Sequence, residues 1–275
     1  MRFGVVHHSL GHDVPVEEAM RAVHDCGALV FATGAQPENR EQLAELSSRY
    51  GLELVTGWWD RFIEHGTEQP TAGFEAFCRE VCEPLHIHVV GTCSTHHRWR
   101  TDPPLDQQLE QLAAAFGRLC PVAADHGVTL AIENHADYRA GDLLALLDRV
   151  NSPQLRVQLD TGNPYAVAEE PVEAARLLAP YAVSTHIKDM TIRPLTDGEW
   201  VKVLGCPLGD GNVDLRAIAT ILAAEAPPDL PFTIEVEPPP GSDVRAAFER
   251  SVAFVRRELS DLVRFGPGSV GGKGG

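Results

Sequence analysis

The sequence contains no uninterrupted apolar run approaching the roughly 20 residues that a bilayer-crossing helix needs, which argues against a membrane protein. It also lacks basic excess. Lys and Arg total 23 against 39 Asp and Glu, a formal net charge of −16. Proteins that grip a phosphate backbone normally present a basic face, so general nucleic-acid binding is not expected. Cysteines at 26, 78, 82, 93, 120 and 206 form no C-x-x-C pair. Cys78 and Cys82 are four apart on an expected helix, a weak metal signal, and all six read as reduced thiols. The first residues, Met1-Arg2-Phe3-Gly4-Val5-Val6, carry no signal-peptide pattern. With no internal repeat and no mid-chain linker, the expectation is one cytoplasmic domain.

What is present is alternation. The 275 residues are 44% hydrophobic and 23% charged, ordinary for a globular protein able to bury a large core. Eight short apolar runs rich in β-branched residues read as buried parallel strands, at 3–7, 28–33, 53–56, 87–92, 129–134, 156–160, 182–188 and 232–237. Helical patterns follow them at 15–26, 40–50, 74–84, 107–126, 141–150, 171–179, 215–224 and 243–259, punctuated by Pro near starts and Gly just past ends. Eight strand–helix units predict an α/β fold, a (β/α)8 TIM barrel over residues 1–265 with a Gly-rich tail at 266–275. A doubly wound open sheet is the alternative, since a sequence does not display closure. The long 189–213 segment is expected to fold as a hairpin around Asp197-Gly198.

A barrel of this kind places its active site where the strands end. Four consecutive strands end in Ile132-Glu133-Asn134, Leu159-Asp160-Thr161, His186-Ile187-Lys188 and Ile234-Glu235. Each puts an ionisable or ligating side chain directly after apolar strand residues. Buried unpaired carboxylates cost several kcal/mol, and three converging on one mouth also repel one another. A divalent cation held by Glu133, Asp160, His186 and Glu235 resolves both problems. The donor set suits Mn²⁺ first, with Mg²⁺, Co²⁺, Zn²⁺ or Fe²⁺ as alternatives.

These motifs, with Leu159-Asp160-Thr161-Gly162-Asn163, His186-Ile187-Lys188-Asp189 and the glycines of Pro207-Leu208-Gly209-Asp210-Gly211, resemble the xylose isomerase-like barrel superfamily. Its members include sugar epimerases and isomerases, inosose and dehydroshikimate dehydratases, and the endonuclease IV group. The resemblance implies a homodimer or homotetramer. By analogy with its ketose epimerases, Glu133 and Glu235 are implied both to bind the metal and to move protons through an enediolate. Two departures bear on the substrate. Asn163 stands where those epimerases carry a histidine, and Arg139 where they carry a glutamate. Asn163 in that place, and the lack of an Asp-x-His pair after His186, argue against an endonuclease.

Further candidates for binding a small polyhydroxylated substrate are Lys188, two residues beyond His186, and Asn163. From the loops come His97 in the donor-rich stretch 92–100, Arg139, Arg193 on the long loop, one of the adjacent Trp58 and Trp59 (Trp58 by preference), and His7 or His8 at the end of the first strand. Arg139 is read either as meeting an anionic group or as lying on a solvated loop. The expected activity is a metal-dependent sugar isomerase or epimerase. A lyase expelling water or an aglycone is the alternative in the same superfamily, and a non-catalytic sugar- or metal-binding barrel the alternative of another class.

Overall fold

A computed structural model describes residues 1–63, 70–94, 96, 98–193 and 201–267. Its centre is an eight-stranded parallel sheet of β1 (Arg2–Val6), β2 (Val30–Ala32), β3 (Glu53–Gly57), β4 (Val89–Thr92), β5 (Thr129–Glu133), β6 (Leu155–Asp160), β7 (Ala182–His186) and β10 (Pro231–Ile234). The strands lie in the order β10-β1-β2-β3-β4-β5-β6-β7. Just past β7, the Ile187 amide donates to the Thr233 carbonyl at 2.8 Å and Ile187 O accepts from Glu235 N at 3.0 Å. These bonds bring the last strand back to the seventh, so the sheet is a (β/α)8 barrel and not the open alternative.

Around it lie α1 (Val16–Asp25), α2 (Arg40–Tyr50), α3 (Pro70–Phe77), α4 (Glu83–Leu85), α5 (Leu105–Asp125), α6 (Ala140–Val150), α7 (Pro171–Leu178), α8 (Leu215–Glu225) and α9 (Val244–Glu258). A π-helical turn, Cys78–Cys82, joins α3 to α4, and α3 begins at Pro70, ahead of the expected start at 74. Side chains placed ahead of the helices close several of them. Asp214 accepts from Ala217 N, Asp243 from Ala246 N and Glu170 from Glu173 N. The last strand stops at Ile234, three residues short of its expected end and ahead of Pro238-Pro239-Pro240, whose rings supply no donor to a ladder.

Alternation along the strands sets which side chains face inward. Leu130 and Ile132, Val157 and Leu159, and Phe232 and Ile234 belong to the main core between sheet and helices. Their neighbours Glu133, Gln158, Asp160, Thr233 and Glu235 therefore point into the barrel. Strand β7 needs a correction of phase to join them. Its register against β6 jumps from Val157↔Ala182 to Gln158↔Ser184. This irregularity spends Val183 and puts His186, with Ile187 facing the outer core, opposite Asp160.

The long segment after β7 forms the expected hairpin, with β8 (Asp189–Arg193) antiparallel to β9 (Lys202–Cys206). The expected Asp197-Gly198 turn lies outside the described residues, as do positions 268–275 of the tail. Buried Asp189 anchors the chain beyond the hairpin. Its carboxylate accepts from the amides of Met190, Gly209 and Gly211 at 2.9 Å each and Val213 at 3.2 Å. Gly211 is packed so closely that a Cβ there would collide with this carboxylate. Gly211→Ala is therefore expected to cost about 1–3 kcal/mol in urea unfolding. A variant within about 0.5 kcal/mol of wild type would show that the anchor tolerates displacement.

Candidate metal centre

Phase and register bring four strand-end side chains together. Glu133, Asp160, His186 and Glu235 each offer one ligand-type atom, and these atoms lie within 4.8 Å of one another. The three carboxylates are buried. His186 Nδ1 stands 3.5 Å from Glu133 Oε1 and 3.1 Å from Glu235 Oε2. Asp160 Oδ1 accepts from the amides of Gly162 at 2.8 Å and Asn163 at 2.7 Å, which turns its other oxygen toward the cluster. Asn134 braces the two strands behind it. Its amide donates to Asp160 O and its oxygen accepts from Asp160 N, both at 2.8 Å.

Lys188 adds a cation. Its ammonium lies 3.5 Å from Asp160 Oδ2, 3.0 Å from Glu235 Oε2 and 3.3 Å from Glu237 Oε2. Burial opposes every charge here, and the neighbours decide the outcome. Burial, with Glu133 and Glu235 nearby, pushes the Asp160 carboxyl up to about 7, against the pull of Lys188. Burial would also raise Glu133 and Glu235, but His186 beside both holds Glu133 below, and Glu235 well below, the usual range. Those carboxylates outweigh burial at His186 and raise it well above an ordinary imidazole. The positive groups set against these three carboxylates are the His186 imidazole and the Lys188 ammonium.

That compensation is incomplete. Asp160 Oδ2 and Glu235 Oε2 are buried and carry no hydrogen bond, in spite of the nearby ammonium. Orphaned buried carboxylate oxygens, three carboxylates and one imidazole converging on one point fit a divalent ion. The cluster opens into a cavity of about 540 Å³.

The other expected site residues divide. Asn163 and Lys188 line the cavity, and Asn163 Nδ2 donates to Glu133 Oε1 at 2.9 Å. His7 lines it too, but both ring nitrogens are engaged, Nδ1 with Thr33 Oγ1 at 3.0 Å and Nε2 with Val14 O at 2.9 Å. The neighbouring His8 reaches Glu235 instead. Of the two adjacent tryptophans, Trp59 and not Trp58 is the one at the cavity. Trp58 packs against Phe62 and Phe74, whereas Trp59 is 55% exposed and lines the cavity. The indole of Trp59 lies over Gly57, where a Cβ would strike the ring. Among the described residues, neither Arg139 nor Arg193 lines the cavity. Arg139 sits at the head of α6 with Nε donating to Val167 O at 3.0 Å, and Arg193 Nε donates to Thr191 Oγ1 at 3.2 Å. His97 lies outside the described residues. Sequence reasoning missed Gln158, whose amide donates to Glu133 Oε2 at 3.1 Å, and His12, which lines the cavity beside His8. The signal for Gln158 was its place two residues before Asp160, on the same face of the strand.

A family model described as the xylose isomerase-like TIM barrel matches residues 16–258, and the chain belongs to that family. Among curated proteins it is similar to the 3-oxo-isoapionate decarboxylase of Pectobacterium atrosepticum, 26% identical over 182 residues. That match covers 66% of this chain and 61% of the relative, so the chain spans less than two thirds of that protein. Two solved structures share the fold. The IolI protein with a binding zinc atom has a TM-score of 0.75 at 15% identity, covering 95% of this chain and 99% of that one. L-ribulose 3-epimerase has a TM-score of 0.73 at 18% identity, covering 95% of each chain. Among the described residues no helix is long and apolar enough to cross a membrane.

Because the groups at this cluster hold protons that an ion displaces, binding of Mn²⁺ is expected to release protons and to tighten as pH rises from about 6 to about 8. Calorimetry in two buffers of different ionisation enthalpy measures this, and His186→Ala should weaken the binding sharply. Affinity independent of both pH and His186 would contradict the site.

Proposed function

We propose that the protein is a divalent-metal-dependent isomerase or epimerase of a small polyhydroxylated keto compound, a keto sugar or keto-cyclitol. The observation that carries this reading is the pairing of Glu133 and Glu235. Two buried carboxylates from different strands approach the same His186 nitrogen, and both line one cavity. The ion held by Glu133, Asp160, His186 and Glu235, Mn²⁺ by preference, would polarise a carbonyl and its neighbouring hydroxyl and stabilise negative charge developing there.

The chain's own groups supply the proton chemistry. One glutamate removes the proton from the carbon beside the carbonyl, and the other returns a proton to the planar enediolate. Return to the opposite face of that carbon epimerises it, and return to the adjoining carbon isomerises the ketone. Gln158 and Asn163 each donate to one oxygen of Glu133, which fixes that carboxylate's plane. Lys188 is placed to bind a substrate oxygen beside Glu235. Trp59 offers an aromatic face at the rim for the apolar side of a ring.

The similarity to a decarboxylase favours a second reading, a lyase. It needs the same ion and the same charge-stabilising mouth but expels a group, which the product reveals. In either case Glu133→Gln and Glu235→Gln should each lower kcat by about 100-fold or more while circular dichroism stays native. Full turnover in either variant would sink the two-base scheme.

A further inference from the structure

Glu235 shows two different faces to its surroundings. Its Oε2 looks to His186 and Lys188, while its Oε1 lies 2.9 Å from His8 Nε2. His8 belongs to the short helical turn that follows β1, and β1 pairs with β10 at Val5↔Ile234, so the two strands deliver His8 and Glu235 side by side. Glu237 lies beyond Glu235 on the same excursion, with Oε1 3.6 Å from His8 Nε2. One ligand-type atom from each of His8, Glu235 and Glu237 falls within 4.8 Å of the others, a convergence separate from the four-residue cluster except for Glu235.

One buried polar atom here carries no hydrogen bond. His8 Nε2 is buried and, although 2.9 Å from Glu235 Oε1, makes no hydrogen bond. Glu235, 6% exposed, turns its Oε1 toward this atom. Charge points the same way. Asp160, Glu235 and Glu237 contact the Lys188 ammonium and Glu133 adds a fourth carboxylate, so with neutral imidazoles one divalent ion leaves the group negative.

We propose that His8, Glu235 and Glu237 form a second divalent-cation site, joined to the first by the Glu235 carboxylate acting as a bridge. The proposal rests on the metal reading of the four-residue cluster. An imidazole and two carboxylates suit a borderline ion such as Mn²⁺ or Zn²⁺, with the remaining positions open to water or substrate. A carboxylate bridge commonly spaces two ions by about 3.5–4 Å. The second ion is the weaker one. It has three protein ligands where the first has four, His8 and Glu237 are 30% and 48% exposed, and Lys188 competes for Glu237.

Titration of the metal-free full chain with Mn²⁺, following the free ion by electron paramagnetic resonance, tests this. The expected result is two ions per chain, the second at least tenfold weaker, with a spin-coupled signal when both sites fill. His8→Ala and Glu237→Gln should each remove the weaker ion and the coupled signal while keeping the tight one. One tight ion and no second in wild type overturns this proposal and leaves the first site standing. A second ion that survives in both variants overturns it as well. A chain that takes up no Mn²⁺ overturns both.

Discussion

Three carboxylates buried at one end of a barrel cannot stay ionised together without positive charge among them. Much of the mouth of this protein answers that constraint. His186 stands between Glu133 and Glu235, Lys188 reaches Asp160 and Glu235 from the next inward position, and burial drives the Asp160 carboxyl up to about 7. Even so, two carboxylate oxygens remain without a hydrogen bond. Three carboxylates and one imidazole with two orphaned carboxylate oxygens among them are a donor set that one divalent ion would satisfy.

The constraint reaches down into the fold. Apolar residues on alternate positions of β5, β6 and β10 lock against the helices, and that packing alone turns Glu133, Asp160 and Glu235 inward. Strand β7 joins the pattern only through its register shift, which exchanges the facing residue and makes His186 the neighbour of Asp160. Backbone amides, Asn134 and the Asp189 anchor then hold strand ends and loops in place.

The four central residues were legible in the sequence because each breaks a local rule. An ionisable side chain after a run such as Leu-Ala-Ile has no reason to be there unless something else pays for its burial. The barrel was legible from the alternation of strand and helix patterns, and the pairing of β8 with β9 from the long segment after β7. Gln158 was missed because a neutral amide inside a strand violates nothing strongly enough to be noticed. Trp58 and Trp59 are chemically identical neighbours. Their roles were divided by the room above Gly57 and by the rings of Phe62 and Phe74, contacts that no local pattern encodes. Arg139 meets the Val167 carbonyl and Arg193 the Thr191 hydroxyl, contacts that charge type alone does not announce.

The most direct test of the central claim, that this cluster holds an ion and moves a proton beside a carbonyl, is nuclear magnetic resonance of candidate keto sugars and keto-cyclitols incubated with the Mn²⁺-loaded protein in D₂O. The account predicts that deuterium enters at a carbon adjoining the carbonyl of at least one such compound, and that this stops when the ion is removed by a chelator. Metal-loaded protein that returns the whole panel without deuterium would contradict it and would favour a barrel that binds without catalysis.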